Sequence, residues 1–201
     1  MKKLSRKLGM LALGAMMSGT ALLATPKAAE AQGSGWWIYA GGGYGILTGT
    51  SSDFFKSGFT GGVAFGKIVQ QRFALGLFGN VGFHSGKEIG VLPSGDKLGK
   101  ATVWRYGLWG GVNALEPVNP WDVWFGLGLG LGTVSEGESI ILGSTIPGFS
   151  STRFLLQGNI AVSRELSQQV ALGVNGTFYI IFLEGDSWTA IPLEAFVSFT
   201  P

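Results

Sequence analysis

A strict alternation of apolar side chains is the feature of this sequence that most constrains its fold. In AFGKIVQQRFALGLFGNVGFH, residues 64–84, apolar residues recur at every second position on both sides of the short polar break QQR. Such alternation is typical of strands with one apolar face, and a break this short joins two antiparallel strands. The stretch therefore predicts two long strands joined by a tight turn at Gln70–Gln71.

The same alternation continues to the C-terminus and predicts an all-β fold. Asn175–Gly176 is a strong hairpin signal, but the apolar residues keep one parity through it from Val170 to Phe182, so we predict a single strand there. Each predicted strand has at least the about 9–11 residues that a tilted strand needs to cross a bilayer. We predict an eight-stranded antiparallel up-and-down transmembrane β-barrel, with strands at about 35–47, 58–68, 72–84, 100–114, 122–134, 152–164, 168–183 and 188–199.

The N-terminus has the pattern of a secretory signal peptide. Four basic residues precede an apolar stretch from Leu8 to Ala24, and Ala29 and Ala31 match the small-residue cleavage pattern. We predict that residues 1–31 are the signal peptide and that residues 32–201 form the barrel domain. Most of the positive charge leaves with the signal, so the mature chain is slightly acidic and gives no support for nucleic-acid binding.

The connections between the predicted strands alternate in length. Residues 48–57, 85–99 and 135–151 are long and polar, whereas VQQR, LEPVNPWD and RELSQQ are short; EGDS at 184–187 is a short loop on the long-loop side. Outer-membrane barrels have short periplasmic turns and longer extracellular loops. If the mature N-terminus lies in the periplasm, the long connections all fall outside the cell.

Charged residues of the mature chain avoid the predicted strand interiors, with three exceptions. Arg105, Arg153 and Glu194 lie within strands, and their parity directs them into the lumen. A cation on the lipid face costs about 2–4 kcal/mol at the bilayer midplane, which supports this assignment. We expect a lumen charge cluster in which Glu194 binds at least one arginine. It forms either a plug or the gate of a narrow pore, and the sequence favours neither decisively.

Aromatic residues fall into two predicted groups on the outward face and one on the inward face. Outward rings prefer the membrane interfaces and predict two girdles: Trp36, Phe73, Trp121 and Phe199 toward the periplasm, and Tyr44, Phe83, Trp104, Phe154 and Phe182 toward the outside. The inward rings share their face with many glycines, so they either fill the lumen or line an apolar pocket: Tyr39, Phe78, Trp109, Trp124, Tyr179 and Phe196.

The signal peptide, the mature chain of about 170 residues, the eight strands and the C-terminal strand IPLEAFVSF resemble the small outer-membrane β-barrel family of the OmpA/OmpX type. The resemblance implies a bacterial outer-membrane location, contact with outer-membrane lipid and lipopolysaccharide, recognition of the last strand by the barrel assembly machinery, and a monomer. The family usually ends on an aromatic residue. Here Thr200 and Pro201 follow Phe199, which departs from that pattern.

The sequence contains few candidate catalytic or metal-binding residues. Small barrels of this family include lipid A acyltransferases and deacylases, and the weak catalytic candidates are His84, Ser85 and Glu88. Neighbouring residues of a strand point to opposite faces, which hinders a Ser–His pairing. With no cysteine and one histidine, no metal site and no cofactor are expected. We expect a structural or surface-interaction barrel acting through its extracellular loops; the alternatives are a lipid A-modifying enzyme and a narrow pore.

Overall fold

A computed structural model describes residues 34–70, 72–88, 96–115 and 120–201; the predicted signal peptide lies outside the described residues. No helix in this part of the chain is long and apolar enough to cross a membrane. Ten strands and one helical turn are described: β1 Ser34–Thr48, α1 Ser51–Phe54, β2 Phe55–Val69, β3 Phe73–Gly86, β4 Ala101–Asn113, β5 Trp121–Glu136, β6 Ser139–Ile141, β7 Ser144–Ile146, β8 Phe149–Glu165, β9 Val170–Leu183 and β10 Asp186–Phe199.

Eight of these strands close into a barrel. Their order is β1-β10-β9-β8-β5-β4-β3-β2, every neighbouring pair is antiparallel, and β1 closes on β10 from Ile38↔Phe199 to Thr48↔Thr189. β6 and β7 form a separate two-stranded hairpin between β5 and β8. The predicted eight-stranded antiparallel barrel is therefore confirmed. β9 runs through Asn175–Gly176 without a turn, as the parity of its apolar residues predicts.

The two ends of the barrel differ. The short-turn rim holds the connections from β2 to β3, β4 to β5 and β8 to β9, whereas the long-loop rim holds the other connections. At the long-loop rim the strands are longer than predicted: β2 begins at Phe55, β5 reaches Glu136 and β8 begins at Phe149. Segment 48–57 contains α1, and segment 135–151 contains the β6–β7 hairpin.

The outer face of the barrel is apolar. Along β5 the outward side chains of Leu127, Leu129 and Leu131 are 72%, 52% and 44% exposed, whereas the inward Val134 is 1% exposed. The predicted girdle residues lie on this outer face, where Phe154 and Phe182 stack with ring centroids 6.0 Å apart. All the girdle residues are exposed except Phe199, which is half-buried. An apolar exterior of this kind matches a lipid environment rather than water.

The lumen toward the long-loop rim is filled by apolar side chains. Leu155, Ile181 and Val103 are each 0% exposed. The rest of this core consists of Leu47, Phe55, Phe78, Ala101, Val134, Tyr179, Trp188 and Ala190. Glycines provide the room for it: a Cβ on Gly132 would lie 2.4 Å from Ile181 Cδ1. Glycines on the inner wall thus let neighbouring large side chains fill the barrel.

Candidate functional site

Glu194 of β10 is buried in the lumen, with 4% of its surface exposed. Its carboxylate accepts hydrogen bonds from the Tyr39 hydroxyl at 3.0 Å and from Thr60 Oγ1 at 3.1 Å. A buried carboxylate needs such donors because an unpaired one is costly. Two hydroxyls from β1 and β2 therefore supply the partners of Glu194.

Arg105 of β4 is also buried, with 2% exposed. Its guanidinium lies 4.1 Å from the centre of the Tyr179 ring, and its Nη1 donates a long hydrogen bond of 3.4 Å to Gln157 Oε1. A desolvated cation on an aromatic face gains about 2 kcal/mol. Arg105 is thus held by a ring and an amide.

The predicted bond between Glu194 and an arginine is wrong. The one ion pair among the described residues joins Arg153 to Glu184, whose side chains are 40% and 86% exposed. Arg153 has inward parity, but it lies beyond the last β8–β9 register pair, Leu155↔Ile181, so it reaches Glu184 in the β9–β10 turn at the long-loop rim instead of the lumen. The three charges therefore do not form one cluster.

The apolar core determines what the lumen does. Arg105 and Glu194 lie inside a barrel whose long-loop half is closed by side chains with almost no exposed surface. Crossing a layer filled by apolar side chains is costly for an ion, because the ion loses its hydration there. An eight-stranded barrel is just wide enough to be filled in this way. Glu194 and Arg105 thus find their partners within the lumen, beneath a seal of apolar side chains. Among the described residues, Trp37 Nε1, His84 Nδ1 and Trp188 Nε1 are buried without a hydrogen-bond partner.

The three weak catalytic candidates are not brought together. His84 points into the barrel, is 3% exposed, and packs against Trp188 with ring centroids 5.6 Å apart. Ser85 points outward and is exposed. Glu88 lies beyond the end of β3, where its backbone forms an isolated antiparallel β-bridge with Lys97. A Ser–His pair needs hydrogen-bond contact, which opposite faces of a strand prevent. Among the described residues, no group of three His, Asp or Glu side chains is placed to hold a metal ion.

At the long-loop rim, β8 presents an open edge. β8 pairs with β5 up to Glu136↔Phe149, but it pairs with β9 only from Leu155↔Ile181 onward. Residues 149–153 therefore have a strand on one side only. We call this segment the β8 edge.

The hydrogen bonds at the short-turn end of β8 show in which direction the backbone groups of the β8 edge point. The N–H of Glu165 donates toward β5, to the Pro120 carbonyl, whereas the N–H of Leu166 donates toward β9, to the Val170 carbonyl. Backbone groups of a strand alternate between its two neighbours, and no bulge interrupts the register. The N–H groups of Ser150 and Thr152 therefore point away from β5.

Sequence reasoning missed the partners Tyr39, Thr60 and Gln157. All three have inward parity, which is the signal that could have found them. Parity fixes the face of a side chain but not its height, because the strands of a barrel are tilted and staggered. The register is what brings Thr60 and Glu194 to the same level, since both lie opposite Gly43 of β1.

Comparison with solved structures identifies the fold of the chain. Neisserial surface protein A (NspA) matches 85% of this chain and 100% of its own chain with a TM-score of 0.58 and 16% sequence identity. The chain has the fold of the small eight-stranded outer-membrane β-barrels. The N-terminal barrel of Pseudomonas aeruginosa OprF matches at 12% identity, 85% and 98% coverage, and a TM-score of 0.46. Ail of Yersinia pestis matches at 11% identity, 85% and 100% coverage, and a TM-score of 0.46.

No protein-family model matches the chain, and no curated protein matches it. Its function therefore has to be argued from its own residues. Two features of this barrel stand out, namely the sealed lumen and the β8 edge.

Proposed function

We propose that this protein is an integral outer-membrane barrel that displays the β8 edge outside the cell as a docking strand for an extended segment of a partner protein. The apolar outer face with aromatic residues toward both rims supports insertion in a membrane. The predicted signal peptide supports export. The difference in connection length supports an orientation with the short-turn rim in the periplasm and the long-loop rim outside.

The β8 edge is the observation that carries the proposal. Unpaired backbone groups on a sheet edge are a template for another strand, and strand addition is a recurring mode of peptide recognition. The edge is rigid because its other side is fully paired and because two hydroxyl pairs join it to β5: Thr133–Thr152 and Ser135–Ser150, both at 2.8 Å. A rigid edge binds with little loss of conformational freedom.

The charges around the edge indicate the chemistry of the partner. Glu136 lies opposite Phe149, and Asp186 is the first residue of the adjacent β10. Arg153, the one cation on the edge itself, is already paired with Glu184, so the remaining charge is acidic. Like charges oppose association and complementary charges favour it. The favoured partner is therefore an extended segment that bears lysine or arginine.

A pair of substitutions tests the β8 edge. Thr152→Pro removes an N–H that points away from β5, so it blocks strand addition while leaving the β5 ladder intact. Thr152→Ala removes the same hydroxyl but keeps the N–H. Fluorescence anisotropy would measure binding of a labelled alternating peptide, KTVKVTVK, to the refolded barrel. Its acidic counterpart ETVEVTVE and a proline-containing version serve as peptide controls.

We expect the basic peptide to bind the wild type and the Thr152→Ala variant with affinities within about threefold of each other. We expect Thr152→Pro to weaken binding at least about tenfold, the equivalent of one hydrogen bond and its register. Equal binding to Thr152→Pro would refute the docking strand. Equal or tighter binding of the proline-containing or acidic peptide would refute it as well.

The other functions considered from the sequence have less support. The separation of His84 from Ser85 argues against a lipid A hydrolase built on these residues, and the sealed lumen argues against a pore. Contact with outer-membrane lipid and lipopolysaccharide, recognition of β10 by the assembly machinery and a monomeric state belong to this proposal. β10 closes the barrel against β1, a place that suits a final assembly signal.

A further inference from the structure

Lys56 of β2 and Ser85 of β3 lie side by side on the outer face of the barrel. The two residues are register partners, and both are exposed. The neighbours Phe55 and Gly86 form the adjacent pair on the inner face, where both are buried. Lys56 and Ser85 therefore share one level on the exterior near the long-loop rim.

Lys100, the residue that immediately precedes β4, extends this pair to a row of three residues. β3 and β4 pair through Phe83↔Thr102 and His84↔Ala101, and the Leu98 N–H donates to the Lys87 carbonyl in the same register. Ser85 thus faces Lys100. Ala101 and Val103 point inward with 1% and 0% exposed, so the exposed Lys100 points outward.

A β-bulge sets the direction of Lys56. The register of β2 and β3 shifts between Lys56 and Phe59, and Gly58 is required there because a Cβ would lie 1.9 Å from the Phe83 carbonyl oxygen. The Tyr44 hydroxyl donates to the Ser57 carbonyl at 3.0 Å and fixes the bulge. Bulges commonly re-aim a side chain, and this one lets both Phe55 and Thr60 point inward while Lys56 points outward.

The row lies directly above lipid-facing aromatic rings. Phe59 and Phe83 occupy the next outward positions of β2 and β3 and are 73% and 56% exposed. On β4 the next outward residue is Thr102, and Trp104, 52% exposed, is the one after it. Aromatic rings of this kind mark the membrane interface. Lys56 and Lys100 form no ion pair with any described residue. In the proposed membrane, two ammonium groups that have no ion pair within the described part of the chain, and one hydroxyl, would therefore lie at the level of lipid headgroups.

We infer that Lys56, Ser85 and Lys100 form a binding site for the phosphate of a membrane lipid headgroup; the inference rests on the proposed outer-membrane location. Adjacent strands are about 4.8 Å apart, so the two lysine Cα atoms lie roughly 10 Å apart with the serine between them. Lysine side chains from both sides reach a phosphate above Ser85, where three charge-assisted hydrogen bonds form. In the proposed orientation, this site faces phosphorylated lipids of the outer leaflet.

The test measures lipid binding to the folded mature barrel. The barrel is refolded in vesicles of zwitterionic lipid, and its folding is checked by heat-modifiable gel migration. It is then titrated with lipid A that carries two phosphates, in the absence or presence of inorganic phosphate as a competitor, or with the same lipid A after enzymatic removal of its phosphates. The temperature of unfolding reports binding, because a ligand of the folded state stabilises it. The variants are Lys56→Gln/Lys100→Gln and Lys67→Gln, the latter at the short-turn end of β2.

We expect phosphorylated lipid A to raise the unfolding temperature of the wild type and of Lys67→Gln alike. For Lys56→Gln/Lys100→Gln we expect the apparent Kd to rise at least about a hundredfold, or about tenfold for each lysine. An equal response of this variant, an equal loss in Lys67→Gln, or an equal response to dephosphorylated lipid A would overturn the site. Full competition by inorganic phosphate would overturn its assignment to a lipid. Failure of the wild type to fold in vesicles would instead refute the membrane location.

Discussion

Two glycines that neighbour each other across β5 and β8 face opposite sides of the barrel and should respond in opposite ways to the same substitution. Gly126 faces the lumen, where an added Cβ would lie 2.2 Å from Trp109 Nε1 and 2.3 Å from Asn159 Oδ1. These two atoms form a hydrogen bond of 2.6 Å with each other. Gly158 faces outward, and its Cβ would meet nothing closer than Leu127 Cδ2 at 3.7 Å.

The magnitudes follow from these distances. Gly126→Ala overpacks a filled lumen, which costs about 1–3 kcal/mol, and it disrupts a buried hydrogen bond worth about 1 kcal/mol. We therefore expect a loss of about 3 kcal/mol in the free energy of unfolding. Gly158→Ala makes an ordinary contact and restricts the unfolded chain, so we expect a change between zero and a gain of about 1 kcal/mol.

Urea unfolding in vesicles, followed by heat-modifiable gel migration and tryptophan fluorescence, measures both variants. Trp109→Phe serves as the matched partner of Gly126→Ala: if the clash is with the indole, the double variant loses less stability than the sum of the two single losses. Equal effects of Gly126→Ala and Gly158→Ala would refute the assignment of the two faces. Strict additivity with Trp109→Phe would refute the packing of the indole on Gly126.

The same structure predicts the effects of three further substitutions. Leu155→Ala leaves a cavity in the seal and should lower the free energy of unfolding by about 3 kcal/mol in the urea assay, with a loss below about 1 kcal/mol contradicting a dry core. Tyr39 and Thr60 donate to different oxygens of Glu194, so Glu194→Gln removes the charge and one of the two acceptors, and a loss of about 2 kcal/mol is expected in the same assay. His84→Ala should leave the acyl chains of lipid A unchanged by mass spectrometry of cells with and without the gene; a change in acylation abolished by this substitution would restore the enzyme hypothesis.

The barrel itself could be predicted because its strands keep one rule throughout, with apolar residues outward and small, aromatic or paired polar residues inward. β9 shows how far that rule reaches, since parity correctly overrides the turn signal at Asn175–Gly176. This alternation no longer predicts strands where they extend beyond the apolar outer face of the barrel. Beyond Leu131, the outward residues of β5 are Thr133 and Ser135, whose hydroxyls pair with β8, so the alternation ends before the strand does.

The partners of the lumen charges could not be predicted for a different reason. Parity placed Arg105 and Glu194 inside, but partner choice depends on height, which is set by stagger between strands. Arg153 shows the consequence, because its inward parity is correct while its position beyond the last β8–β9 register pair brings it to Glu184 at the rim. The row of Lys56, Ser85 and Lys100 is equally invisible in the sequence, since a bulge shifts the register of β2.

The most direct test of the account is accessibility of single cysteines on intact cells, because the chain has no cysteine of its own. Thr145→Cys lies in β7 beyond the long-loop rim, and Gln169→Cys lies at the short-turn rim. A membrane-impermeant maleimide should label Thr145→Cys on intact cells, and Gln169→Cys only after the outer membrane is permeabilised. Labelling of Gln169→Cys but not Thr145→Cys on intact cells, or recovery of the protein in the soluble periplasmic fraction, would contradict an outer-membrane barrel that displays its long-loop rim to the outside.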